Sequence, residues 1–287
     1  MSHQLLAAKT ILFIGAGPMA EAIIRGLVSR PDTDPERIIA TNRSNRERLA
    51  ALNREYGIRI GCGSEAVARY MSEADLIVLA MKPKDVGEAL VEIAPSLDPR
   101  HLLISVVAGL SLSTIEGLSG GGIPIARCMP NTSSTIGLGA TGLCFSSSAT
   151  SEHQALALDL FAATGETVIV EEPLIDVVTG VSGSGPAYIY YMMEAMMEAG
   201  IAGGLDEEQA RLLTVQTVLG AASMVKATGE DPAALRRKVT SPNGTTQAAL
   251  EKLDEYRFHE AVRSAVHRAS ERAGELGRST SAEMMKP

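Results

Sequence analysis

Apolar positions fall in short unbroken runs over the first 170 residues and at helical spacing over the rest. Ile11–Ile14 is four apolar residues bounded by polar and glycine positions, the pattern of a buried parallel strand. The runs at 38–41, 58–60, 76–80, 102–106, 123–128 and 167–170 repeat it. Between them the spacing turns helical. Met19, Ile23, Ile24 and Leu27 share one face, an Arg-rich segment spans 43–56, and 111–118 and 151–163 read as helices. Strands alternating with helices predict an α/β, Rossmann-like fold, a doubly wound parallel sheet over residues 1–170.

From Glu171 onward the runs stop, and 171–287 reads as all helix broken by Gly and Pro. The segment 187–201 carries Tyr188, Ile189, Tyr190, Tyr191, Met192, Met193, Met196 and Met197 and is apolar nearly all round, so it must be buried. One small domain rarely hides that much surface, which predicts a subunit interface. A membrane span is the rival, opposed by Glu194, Glu198 and the short length. Further helices are expected at 206–226, from Pro232, and at 258–276. His259 and His267 on the last one read as solvated.

The first strand runs straight into Gly15, Ala16, Gly17, Pro18, Met19 and Ala20, spaced G-x-G-x-x-A. Gly15 lets the chain turn, Gly17 lets a pyrophosphate approach the backbone, and Ala20 lets the helix pack close. Unpaired amides at the helix start then face the phosphates, and Pro18 costs little where amides have no partner. A tight turn without ligand is the alternative. The second strand ends in Thr41, Asn42, Arg43 and Ser44 where NAD-binding units usually carry a carboxylate. A guanidinium and hydroxyls there suit a 2′-phosphate and favour NADP, against the alternative that Arg43 is simply solvated. Ala80, Met81, Lys82 and Pro83 close the fourth strand, and Lys82 is a candidate for the cofactor rim or a plain surface lysine. A second loop at the same sheet edge holds Met129, Pro130, Asn131 and Thr132.

Composition narrows the chemistry. The 287 residues suffice for two domains, 45% hydrophobic and 21% charged as in an ordinary globular protein. A net charge of −8 argues against a nucleic-acid partner. Cys62, Cys128 and Cys144 form no CxxC pair, so no metal and no disulfide framework is expected, and a reducing cytoplasm is. The N-terminus lacks a signal-peptide pattern, and no apolar run is long enough for a membrane. In the helical half, 238–246 (KVTSPNGTT) sets hydroxyls and amides just ahead of a helix start, the makings of an anion site. A capped helix is the plain alternative.

FIGAGPMAEAI, AMKP, MPNT, SGSGPAY and above all VTSPNGTTQAALEKLD resemble pyrroline-5-carboxylate reductase, the last enzyme of proline synthesis. The likeness runs in order from about Ile11 to Leu276. It implies a dinucleotide-binding domain, 1–170, followed by an all-helical dimerisation and substrate domain, 171–287. Homodimers assembling further into a decamer, with active sites at dimer interfaces, and a small-molecule substrate are also implied. By position, Gly15 to Ala20 would bind the pyrophosphate, Asn42, Arg43 and Ser44 the adenosine end, and Met81 to Pro83 the nicotinamide ribose side. Ala80 and Asn131 complete the cofactor set, for NADPH with NADH a second choice. Ser241, Gly244, Thr245 and Thr246 would hold the substrate carboxylate and ring nitrogen, with Thr246 the catalytic contact. Pro18, Ser133 and Asn243 depart from the usual residues of the family.

The implied chemistry agrees with what 241–246 lacks. A ketone needs an acid for its alkoxide, whereas a cyclic imine arrives protonated, so hydride transfer neutralises its charge and orientation suffices. Two other readings are a 3-hydroxyacid dehydrogenase, which would want a catalytic Lys (Lys226, Lys238 or Lys252), and a non-catalytic NADP-binding protein.

Overall fold

A computed structural model describes residues 5–284. Eight strands form one sheet: β1 (Ile11–Ile14), β2 (Ile38–Asn42), β3 (Arg59–Cys62), β4 (Leu76–Leu79), β5 (Leu102–Ser105), β6 (Ile125–Met129), β7 (Gly139–Phe145) and β8 (Gly165–Ile169). Their spatial order is β3-β2-β1-β4-β5-β6-β7-β8. β1 sits between β2 and β4, with Ile11 beside both Ile38 and Leu76. The order reverses there, so the helices leaving β1 and β4 diverge to opposite faces and open a crevice at the strands' carboxyl ends.

Alternation along β1 divides the core. Ile11 and Phe13 face one side of the sheet with α1 (Pro18–Val28), α2 (Arg46–Tyr56) and, further along, α6 (Ser151–Ala162). Leu12 and Ile14 face the other side, under α3 (Ser64–Met71), α4 (Pro83–Ile93) and α5 (Leu112–Ser119). Phe13, fully buried, contributes on the order of 2–3 kcal/mol by leaving water.

One expectation needs correcting. The sheet is not parallel throughout, because β7 runs antiparallel to β6 and β8 follows β7's direction. The sequence reading passed over β7, since GATGLCF holds two glycines and no long apolar run. A tight 3-10 turn, Thr132–Ile136, joins β6 to β7, and so short a link can only return the chain antiparallel.

Past β8 the short helix α7 (Ile175–Val178) packs Ile175 into the second core, and a π-helical turn, Thr179–Gly183, follows. Next come α8 (Gly185–Ala202), α9 (Glu207–Thr228), α10 (Pro232–Lys238), α11 (Thr245–Glu255) and α12 (Phe258–Met284). α12 extends beyond the expected 276, and Met284 packs against the second core of the sheet. By internal contacts the chain forms two compact units. One takes in the chain up to Gly183 together with the stretch from Arg268 on, and the other is Ser184–His267.

Within Ser184–His267, α8 and α9 pack where Gly200 meets Leu205 and Ala210. Only Ala210 and Thr214 are buried there. No helix among the described residues is long and apolar enough to cross a membrane.

Candidate functional site

Three loops leave the carboxyl edge of the sheet side by side, pinned by backbone bonds that continue the strand ladder. Gly15 N donates to Thr41 O (3.0 Å), Ala80 N to Ile14 O (2.9 Å) and Gly63 N to Asn42 O (3.0 Å). The two glycines of the first turn differ in purpose. Gly15 has φ +111°, and a Cβ there would stand 2.4 Å from the Ala80 carbonyl oxygen, so the fold itself demands glycine. Gly17 is extended, φ −76° and ψ 178°, and its Cβ would meet nothing closer than Ala80 O at 3.7 Å. The protein does not use the space that Gly17 leaves, as a phosphate-binding turn requires.

Gly17 also caps α1 without a side chain, Pro18 follows at the helix start, and the first intrahelical amide is Glu21 N to Gly17 O. The amides of Met19 and Ala20 precede that bond and are left for an anion at the positive end of the helix. This arrangement fits the pyrophosphate of a dinucleotide.

The turn is braced by a network that the sequence reading missed. Arg48 donates through Nε to Ala16 O (2.9 Å) and through Nη2 to Glu21 Oε2 (2.5 Å). Tyr56 Oη donates to Glu21 Oε1 (3.1 Å) and accepts from Arg25 Nε (3.1 Å). Burial works to raise the Glu21 carboxyl, but bonds from Arg48 and Tyr56 and the charges of Arg48 and Arg25 outweigh it and hold Glu21 below its usual range. No local signal marks these residues, because only the β1–α1–β2–α2 packing brings 21, 25, 48 and 56 together.

At the end of β2, Asn42 Oδ1 accepts from Ser44 N (3.1 Å) and Asn45 N (2.9 Å), and Asn45 in turn caps α2 through Arg48 N. Asn42 therefore shapes the loop that presents Arg43 and Ser44. The Arg43 side chain is exposed and paired with Asp85 and Glu88 on α4. After β4, Ala80 is buried, Met81 half-buried and Lys82 exposed, with Lys82 at the cap of α4 and Pro83 at its first turn. Asn131 is buried, and both ends of its side chain are engaged: Nδ2 donates to Ser182 O (3.0 Å) and Oδ1 accepts from Ala140 N (3.2 Å). Its amide holds the loop after β6 in place. Gly15, Ala16, Gly17, Pro18, Met19, Ala20, Asn42, Arg43, Ser44, Ala80, Met81, Lys82 and Pro83 thus lie on three loops of one sheet edge.

Ser241, Gly244, Thr245 and Thr246 belong to the helical unit. Asp231 caps α10, Thr240 Oγ1 donates back to Arg236 O (2.7 Å), and a turn closes with Gly244 N to Ser241 O (3.0 Å). Asn243 takes φ +57°, a conformation that asparagine tolerates, and its N–H donates to Gln247 Oε1 (2.9 Å). Gly244 caps α11 and brings no side chain, so the plain alternative of a hydroxyl-capped helix does not describe this turn. Among the described residues, the hydroxyls of Ser241, Thr245 and Thr246 take no hydrogen bond, and the first intrahelical bond is Ala248 N to Gly244 O. Three hydroxyls and the first amides of α11 are donors that the fold leaves unspent.

Residues 10–109, from β1 to just past β5, match a family model described as NADP oxidoreductase coenzyme F420-dependent. Residues 172–276 match the model for pyrroline-5-carboxylate reductase dimerisation. Pyrroline-5-carboxylate reductase 1 of Bacillus spizizenii is 42% identical over 268 residues, 93% of this chain and 89% of that protein. The structure of a pyrroline-5-carboxylate reductase from Coxiella burnetii superposes with a TM-score of 0.88 at 38% identity, covering 93% of this chain and 98% of the other. The Plasmodium falciparum enzyme with NADP bound gives 0.82 at 29% identity, over 94% and 98% of the two chains. A glycine turn fit for a pyrophosphate, a dimerisation-type helical half and likeness over nine-tenths of the chain agree: this chain belongs to the pyrroline-5-carboxylate reductase family.

Proposed function

We propose that this chain reduces 1-pyrroline-5-carboxylate to L-proline with NADPH, residues 1–170 holding the cofactor and 171–287 carrying dimerisation and substrate binding. NADPH, when bound, supplies the hydride. The amides of Met19 and Ala20 and the open backbone at Gly17 take the pyrophosphate on a turn shaped by Gly15 and Ala16, with Pro18 keeping the helix start rigid. Arg43 and Ser44 take the 2′-phosphate end on a loop shaped by Asn42. Ala80, Met81, Lys82 and Pro83 form the nicotinamide side, and Asn131 holds the neighbouring loop. NADH is a poorer substitute because it gives Arg43 no phosphate to bind.

The observation that carries the substrate half is the set of unspent donors at Ser241–Thr246. The Ser241 hydroxyl and the amide of Thr245 bind the carboxylate, and the Thr246 hydroxyl bonds the ring nitrogen. Gly244 keeps the turn closed through its own N–H on Ser241 O and leaves room for the ligand. The imine arrives protonated, so adding hydride to its carbon cancels the charge on nitrogen, and no protein acid is required. His, Cys and carboxylate residues are absent from 241–246, which suits an imine better than a ketone. Assembly of the dimers into a decamer and a cytoplasmic location belong to the same proposal.

Thr246→Ala tests it by steady-state kinetics beside a thermal melt. Affinity for NADPH is expected to hold while turnover falls roughly tenfold to a hundredfold, the loss of one bond to a charged group worth ~1.5–3 kcal/mol. Thr246→Ser recovers most of it. A folded Thr246→Ala enzyme with wild-type turnover would end the assignment.

A further inference from the structure

Arg43 does not stand free at the end of β2. Its guanidinium reaches the first turns of α4, Nη2 3.2 Å from Asp85 Oδ1 and Nη1 3.1 Å from Glu88 Oε2. Asp85 is the third residue of α4, where the helix dipole favours an acid, so it has a local reason to be there. Glu88 lies further along the helix and is 78% exposed. One cation is set against two anions at the very corner where a 2′-phosphate needs net positive charge. A guanidinium engaged on two carboxylates offers a phosphate only its remaining donors.

We propose that Asp85 and Glu88 are positioning residues that set cofactor specificity: by holding Arg43 on α4, they narrow the preference for NADPH over NADH. This rests on the reading of Arg43 as the 2′-phosphate ligand. NADH carries a hydroxyl at that position and leaves both ion pairs intact. NADPH must draw Arg43 away from the carboxylates or share it with them. An interaction that one cofactor disrupts and the other does not is a specificity element. Both pairs are at the surface, with 72% of the Arg43 side chain exposed, so the effect is a few-fold and salt-dependent.

The test measures Kd for NADPH and NADH by nicotinamide fluorescence, at low and high salt, in the full chain. The variants are Arg43→Ala, Glu88→Gln, Asp85→Asn with Glu88→Gln, and all three together. Glu88→Gln is a change at an exposed site and keeps the fold. Neutralising both acids is expected to tighten NADPH roughly threefold to tenfold, to leave NADH within about twofold, and to lose that gain at high salt and in the Arg43→Ala background. An unchanged NADPH/NADH ratio overturns the proposal, as does equal weakening of both cofactors or a gain that persists without Arg43. The two levels separate cleanly. If Arg43→Ala itself leaves the ratio unmoved, the Arg43 assignment fails and this inference with it. If Arg43→Ala abolishes the preference while the acid variants change nothing, only this inference falls.

Discussion

β1, β4 and β5 are buried at every position, whereas α8, just as apolar to read, has no buried residue within the chain. Tyr191 on α8 is 78% exposed and Leu212 on α9 is 67% exposed. The sheet unit buries its central strands under its own helices on both faces, while its edge strand β8 leaves apolar side chains, Val168 and Ile169, in the open. The helical unit has one tight internal crossing at Gly200 and leaves its apolar surface open, which is the form of a dimerisation domain awaiting its partner. On the function proposed above, the parts divide along the same line: the loops assigned to the cofactor stand on the sheet, and the turn assigned to the substrate stands on the helices.

The largest effect should come from breaking the dependent half. Tyr191→Glu alters a side chain that is open in the single chain, so folding of the sheet is untouched. In an interface it leaves an unpaired buried charge costing roughly 3–5 kcal/mol. Light scattering should show smaller species and the assay little activity; an intact, fully active assembly would refute the interface. Next in size is Gly15→Ala. A side chain at φ +111° pressed on the Ala80 carbonyl should lower the stability of the sheet unit by roughly 3 kcal/mol, read from denaturant melts. Gly17→Ala sharpens the contrast inside one turn. Its Cβ meets no protein atom closer than 3.7 Å, so stability should stay within about 0.5 kcal/mol. NADPH affinity should nevertheless fall at least tenfold, because the methyl occupies the phosphate's approach. Equal loss of stability in the two variants would break the distinction.

The smallest effect concerns pH and belongs to the sheet unit alone. His101 is fully buried. Its Nδ1 accepts from Asp98 N–H (3.0 Å), so the ring proton sits on Nε2 and bonds Met71 O (3.2 Å). Burial depresses its pKa below 6.5, against the opposing pull of Asp98. The neutral ring is the native form, and the unfolded chain takes up the proton first. Stability from this group is therefore whole above pH 6.5 and declines as pH falls from there toward the depressed folded pKa, by at most about 1.4 kcal/mol per pH unit. Melts of wild type and His101→Gln between neutral and mildly acid pH should differ in slope. Parallel curves would show that His101 is not the group responsible.

The sequence by itself determined the parts whose cause is local. Short apolar runs marked seven of the eight strands, G-x-G-x-x-A marked the tight turn from β1 into α1, and the all-round apolar pattern of 187–201 marked a helix whose apolar surface stays open in the single chain. The block around 240–254 was enough to point to the family. Tertiary structure alone decided what depends on residues far apart in the chain. The direction of β7 came from a short turn leading into a glycine-diluted segment, which no periodicity announces. That Gly15 is demanded by Ala80 and Gly17 is not could be seen only with β4 laid beside β1. Arg48 reached Ala16, Asn131 turned its amide inward to Ser182 and Ala140, and Arg43 fell to Asp85 and Glu88, because packing brought their partners within hydrogen-bond range. A side chain's type is written in the sequence, but which charge or carbonyl it meets is set by the fold.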